Sequence, residues 1–368
     1  MTARPARLVD VVDRTSVLVC CGSGGVGKTT TAAAIGFDAA LRGRRAVVVT
    51  IDPAKRLADA LGLDGGLTND PAPIDAVSSP GGELWAMMLD TRTTFDALVR
   101  RHAADDEQAE RILANPFYRN IAGALSGTQE YMAAEKLYEL HADERFDLVV
   151  VDTPPTRNAL DFLDAPGRLT RFLDHRLYRW LMAPARGGMR VLNVAAQPVL
   201  RTIGKIIGGE VLADAIAFFQ AFDGMEAGFR DRADQVMALL HSEETAYVIV
   251  ASARHDTVEE AVFFARKLAD DGPGVSAVVL NRLQPSFGEG SSISAAEAAA
   301  EAGARGELDL AALWSNLAEL RLQAEREAAT IVELLEVADE APIARVPLRA
   351  DDVHDLDGIA SVAADLFG

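Results

Sequence analysis

Residues 20–31 read CCGSGGVGKTTT. Within them Gly22, Gly27, Lys28 and Thr29 satisfy GxxxxGK[ST], a loop whose backbone N–H groups can surround phosphate oxygens. In that pattern Lys28 reaches the β and γ phosphates, and the Thr29 hydroxyl is a ligand for Mg²⁺. Gly24, Gly25 and Gly27 let the backbone approach the phosphates, and Ser23, Val26 and Thr30 complete the cradle. VLVC precedes the loop and TTAAAIGFDAALR follows it to Gly43, so the motif lies between a strand and a helix. The helix N-terminus adds a partial positive charge to the phosphate site.

Outward from the loop the same grammar repeats. Apolar runs at 17–21, 46–50, 84–89, 148–151, 247–251, 275–280 and 343–346 read as strands. Most are continuous rather than alternating, as strands covered on both faces require. With helical patterns between them, the chain reads as an α/β fold, a doubly wound and mostly parallel sheet spanning 1–368 as one nucleotide-binding domain. The helical blocks 92–142 and 159–243 are too long for crossovers and imply an inserted helical subdomain. Residues 285–307, small and acidic with few large apolar side chains, read as a mobile surface segment holding at most a marginal helix. A long helix over 308–337 then leads to the last strand.

Composition narrows the partners. The 368 residues carry a net charge of −19, and no basic patch is visible, which argues against nucleic acid. No run of about 18 apolar residues exists to span a bilayer, and 1–14 lacks a signal-peptide apolar block, so a cytoplasmic protein is expected. The only cysteines, Cys20 and Cys21, are adjacent. They form no CxxC zinc clip and no disulfide framework.

A triphosphatase also needs a carboxylate near its metal and a group that positions the attacking water. DLVVVD ends at Asp152, and RAVVVTID ends at Asp52, followed by Pro53. Both acids fall at carboxyl ends of strands, where open α/β sheets bind ligands.

At this point the chain resembles a known family. GSGGVGKTT, TIDPAKRLADALG (50–62), VVVDTPPTRNALDFL (149–163), VVLNRL (278–283) and ARVPLRADDVHDL (344–356) resemble, in order, the P-loop, the two switches and the adenine-side loops of the ArsA family of ATPases. The family includes an arsenite-pump ATPase and an ATPase that guides tail-anchored proteins to membranes. The resemblance implies Mg²⁺-dependent ATP hydrolysis by a dimer, with Asp52 orienting the attacking water and Asp152 holding Mg²⁺ through water. It further implies that Asn281 meets the adenine edge and that the backbone at Pro347 covers the ring. NRLQ (281–284) stands where a guanine-specific NKxD would, which favours ATP over GTP.

The chain also departs from the family. The family's loop carries a lysine where Ser23 stands, a lysine that reaches the partner's phosphates across the dimer. A homodimer in which Lys55, Arg56 or Arg157 substitutes, a heterodimer with a lysine-bearing paralogue, and a slowly hydrolysing nucleotide sensor all remain open. Two adjacent cysteines under the loop cannot make the converging thiolates of an arsenite site. A zinc-bridged dimer lacks its cysteine pair. Leu212, Ala215, Ile216, Phe219 and Phe222 form one apolar helix face, and Val199, Ile203, Ile206 and Ile207 a second stripe. Such faces pack internally, close a dimer or receive a hydrophobic segment of a membrane-protein client; an anion pump's energy subunit is the other reading.

Overall fold

A computed structural model describes residues 7–51, 56–63, 65–121, 128–154, 161–174 and 209–368. In chain order its elements are α1 (Leu8–Arg14), β1 (Val17–Cys21), α2 (Lys28–Leu41), β2 (Arg45–Thr50), α3 (Arg56–Ala60), β3 (Ala72–Ser79), β4 (Gly82–Met88), α4 (Thr91–His102), α5 (Asp106–Ala114), α6 (Pro116–Ile121) and α7 (Thr128–His141). There follow β5 (Leu148–Asp152), α8 (Asp161–Asp174), α9 (Gly209–Ala221), α10 (Glu226–Leu240), β6 (Thr245–Ser252), α11 (His255–Asp271), β7 (Ala277–Leu283), α12 (Ser292–Ala304), α13 (Leu308–Thr330), α14 (Val332–Val337), β8 (Ile343–Pro347) and α15 (Leu356–Phe367).

These elements form two compact units. The first comprises Met1–Met88, Glu144–Ala159 and Glu243–Gly368 and contains the sheet; the second comprises Leu89–Asp143 and Leu160–Ser242. The sheet has eight strands in the order β3-β4-β2-β5-β1-β6-β7-β8. All neighbours are parallel except the β3–β4 hairpin at one edge. Every residue of β1, β5 and β6 is buried, because helices cover both faces of the central strands. Small residues on α2, among them Ala32, Ala33 and Ala39, let that helix lie close over Val48, Val150 and Val248.

The edge strand β3 has no counterpart in the sequence reading, since its residues, APIDAVSS, hold little continuous apolar run. It forms by pairing antiparallel with β4 across the turn at 80–81. The long helix expected over 308–337 is two helices with the step at Ile331. Residues 285–307, read from composition as mobile, contain the 13-residue α12. Its start is capped by Ser291, which accepts the Ser294 N–H at 3.1 Å. Tertiary polar contacts replace the missing apolar ones: Glu325 accepts the Ser292 N–H and hydroxyl at 2.8 and 2.6 Å, and the buried Arg321 donates to the Phe287 and Glu289 carbonyls at 3.2 and 2.7 Å.

The helical unit has its own core, built on Leu98, Ile112, Tyr118, Met132, Phe218, Phe222 and Phe229. The apolar face of α9 is largely turned into it. Ala215 and Phe222 are buried, Phe219 is half-buried, and Phe117 lies 5.6 Å from Phe218 and 6.0 Å from Phe219 between ring centres. The second stripe, Val199 to Ile207, lies outside the described residues. Among the described residues no helix is long and apolar enough to cross a membrane.

Candidate nucleotide site

The sheet order determines what meets at the carboxyl ends. β1 lies between β5 and β6, and β5 lies between β1 and β2, so Cys20, Asp152 and Thr50 stand side by side in register. On the other side β6 brings Ser252 beside Asn281 of β7. The loop following β1 is therefore flanked by the ends of β5 and β2 on one side and of β7 on the other.

Two glycines are required by the way the loop leaves the strand. A Cβ at Gly22 would strike the Val250 carbonyl, and one at Gly27, where φ is 94°, would strike the Asn281 amide. Gly27 is the residue that turns the chain into α2, and its carbonyl accepts the Thr31 N–H at 2.9 Å.

Lys28 is buried beneath the loop, and its Nζ donates to the Ser23 carbonyl at 2.8 Å. Burial pulls the ammonium below the ordinary lysine range, and the nearby Asp152 carboxylate opposes that pull. Asp152 itself is 1% exposed; its Oδ2 accepts the Thr29 hydroxyl at 2.7 Å and the Thr50 hydroxyl at 3.0 Å. The Thr153 hydroxyl donates to the Cys20 carbonyl at 2.7 Å and ties β5 to β1 just past the acid. Thr29, Thr50 and Asp152 thus present hard oxygen donors next to a lysine, the ligand chemistry that suits Mg²⁺.

A cavity of about 840 Å³ opens over this arrangement. Gly24, Gly25, Gly27, Lys28, Thr29 and Thr30 form its phosphate-loop wall. Asn281, Arg282, Pro347 and Arg349 form the wall toward β7 and β8, and Arg56 of α3 lines it as well. The cavity is large enough for a nucleotide, and its charged lining is mixed, with Asp59, Asp351 and Asp352 beside the lysine and arginines.

The structure brings together all the sequence-derived loop residues, with Asp152, Asn281 and Pro347 in the same unit. Asp52, Lys55 and Arg157 lie outside the described residues, whereas Arg56 is at the cavity wall. Ser23 is buried, and its hydroxyl has no hydrogen-bond partner among the described residues. Asn281 is already engaged: its Nδ2 donates to the Val26 carbonyl at 2.8 Å and its Oδ1 accepts the Arg282 N–H at 2.9 Å. Cys20 and Cys21 are buried in β1; desolvation raises both thiols, that of Cys21 to about 12, so neither is a thiolate at neutral pH.

Thr50, Arg282 and Arg349 are site residues the sequence reading did not single out. Thr50 had a local signal, a hydroxyl at the last position of a strand that borders an acid-tipped one. Arg282 and Arg349 had none beyond their neighbours, because their placement depends on which strand ends adjoin.

Comparison with known proteins agrees with this geometry. The family model described as anion-transporting ATPase matches residues 15–292. The chain is 26% identical to the ATPase GET3 of Malassezia globosa over 285 residues, covering 76% of this chain and 77% of that protein. It is 24% identical to the ATPase get3 of Schizosaccharomyces pombe over 282 residues, again 76% and 77% of the two chains. The arsenical pump-driving ATPase of Acidiphilium multivorum is 26% identical over 270 residues, 72% of this chain and 39% of that protein.

Proposed function

From the premise that this chain belongs to the anion-transporting ATPase family, whose members hydrolyse ATP, we propose that it is a Mg²⁺-dependent ATPase that couples its nucleotide state to handling a hydrophobic or membrane-protein client. The observation that carries the nucleotide part is the 2.7 Å contact of the Thr29 hydroxyl with Asp152, beside Lys28 at the mouth of a phosphate loop. Lys28 binds the β and γ phosphate oxygens, whose charge offsets the cost of burying its ammonium. The Thr29 hydroxyl and, through water, Asp152 would hold Mg²⁺, which would supply charge neutralisation at the phosphates. Asp52 orients the attacking water. Asn281 and the backbone at Pro347 hold the adenine.

The client part is supported by the relatives named GET3 and by the family resemblance of the chain's motifs. A cargo bound through thiolates is disfavoured, because the chain's only cysteines are buried and protonated. A dimer is the working form, either of this chain alone or with a paralogous ATPase. Ser23 favours the second arrangement: its neutral, buried side chain offers no cation to a partner's phosphates, so turnover by the isolated chain would be slow.

Steady-state ATP hydrolysis by the purified chain, followed with Lys28→Ala and Ser23→Lys variants across a protein dilution series, tests both readings. Lys28→Ala is expected to lower ATP affinity about 10³-fold, roughly 4 kcal/mol; unchanged affinity would refute the nucleotide site. If Ser23→Lys raises hydrolysis in a concentration-dependent way, the mixed dimer gains; brisk turnover by the wild type that the substitution leaves unchanged removes it.

A further inference from the structure

In a trans peptide the carbonyl and the following N–H point in opposite directions. A loop that offers its amides to phosphate must therefore have its carbonyls satisfied by other donors. Here four of these carbonyls have identifiable holders. The Ser23 carbonyl accepts Lys28 Nζ, the Gly25 carbonyl accepts Arg282 Nη1 at 2.8 Å, the Val26 carbonyl accepts Asn281 Nδ2 at 2.8 Å, and the Gly27 carbonyl begins the ladder of α2. Two of these holders belong to the motif or its helix. The other two, Asn281 and Arg282, come from the end of β7, some 255 residues away in sequence.

We propose that Arg282 is a positioning residue for the phosphate loop: its guanidinium fixes the Gly25–Val26 peptide so that the Val26 N–H faces the phosphates, and it adds a cation to the cavity wall. The proposal rests on the nucleotide-binding reading above. Arg282 takes a φ of 60°, a left-handed conformation that residues with side chains seldom adopt. Asn281 holds that turn by accepting the Arg282 N–H on Oδ1. The strained turn aims the arginine at the loop rather than along the strand. Among the described residues no carboxylate forms an ion pair with it, and one Nη1 hydrogen bond leaves further guanidinium donors available. An exposed, uncompensated arginine already hydrogen-bonded to the loop is suited to a polyanion.

The test measures calorimetric binding of MgATP and, separately, of tripolyphosphate to the full chain carrying Arg282→Gln, Arg282→Lys or Arg282→Gly. The glycine variant keeps the φ of 60° without strain and carries the test if the glutamine variant does not fold. Loss of the charge-assisted contact is expected to weaken both ligands by the same factor, about tenfold or more. Lysine should recover part of it, and the ligand-free thermal midpoint of the glycine variant should stay within a few degrees of wild type. A purely structural role would show instead as a fallen ligand-free thermal midpoint and no recovery by lysine. Wild-type affinity for both in the glycine variant overturns the inference, as does a loss confined to ATP, which would move Arg282 to the adenine side. Failure of the wild-type chain to bind either ligand would instead overturn the nucleotide reading itself.

Discussion

Asp152 in the sheet unit and Glu135 in the helical unit are each 1% exposed, yet they are buried for different reasons. Glu135 faces guanidinium groups. Arg232 Nε donates to both its oxygens at 2.8 and 2.9 Å, and Arg101 reaches Oε1 at 3.2 Å. Arg232 is itself held over the Tyr138 ring, 4.1 Å from its centre. This is a closed network in which neighbouring helices supply both the charge and its neutralisation. Asp152 meets hydroxyls instead, on Thr50 and on Thr29, which lines the cavity. The hydroxyls satisfy Oδ2 without cancelling the carboxylate's charge, which is shared with the nearby Lys28 ammonium rather than closed in a guanidinium pair, so the site can still respond to a cation. Burial alone therefore does not mark a functional acid; the nature of its partners does.

Paired substitutions sharpen or break that contrast. The larger stability effect is expected at Glu135→Gln, which strips the charge from a buried guanidinium partnership and should cost about 3 kcal/mol of unfolding free energy. Chemical denaturation measures it. A cost near zero would mean that Arg232 and Arg101 find other partners and that the network is not closed. Asp152→Asn should do the opposite, changing stability by about 1 kcal/mol or less, because an isosteric amide still accepts from the threonine hydroxyls while shedding a buried charge. Its loss appears in Mg²⁺-supported hydrolysis, expected to fall about a hundredfold, roughly 2.7 kcal/mol of barrier. If Asp152→Asn instead unfolded the protein and left the hydrolysis of the remaining folded fraction intact, the two acids would be of one kind.

Much of the sheet unit was legible in advance. Short continuous apolar runs mark strands buried on both faces, and GSGGVGKTT between one of them and a helix marks the phosphate loop. Asp152 was legible because it ends such a run. Less visible were β3, whose alternation is broken by Pro73 and by small polar residues, and α12, whose composition lacks the apolar face that a periodicity search requires. Both form through partners outside their own span: the adjoining strand β4 for the one, Arg321 and Glu325 about thirty residues on for the other. The face of α9 was seen as apolar but not as occupied, since Phe117 and Tyr118, which pack against Phe218, precede it by about a hundred residues.

By itself, then, the sequence determined the chemistry of the phosphate loop, the alternation of strand and helix, and the acid at the end of β5, because each is written in residues adjacent along the chain. Only the tertiary structure decided which side chains complete the site. Thr50 reaches Asp152, and Arg282 reaches Gly25, because parallel strands from separate segments end side by side. Strand order is a global outcome of packing two helical layers on one sheet, so no local pattern encodes it.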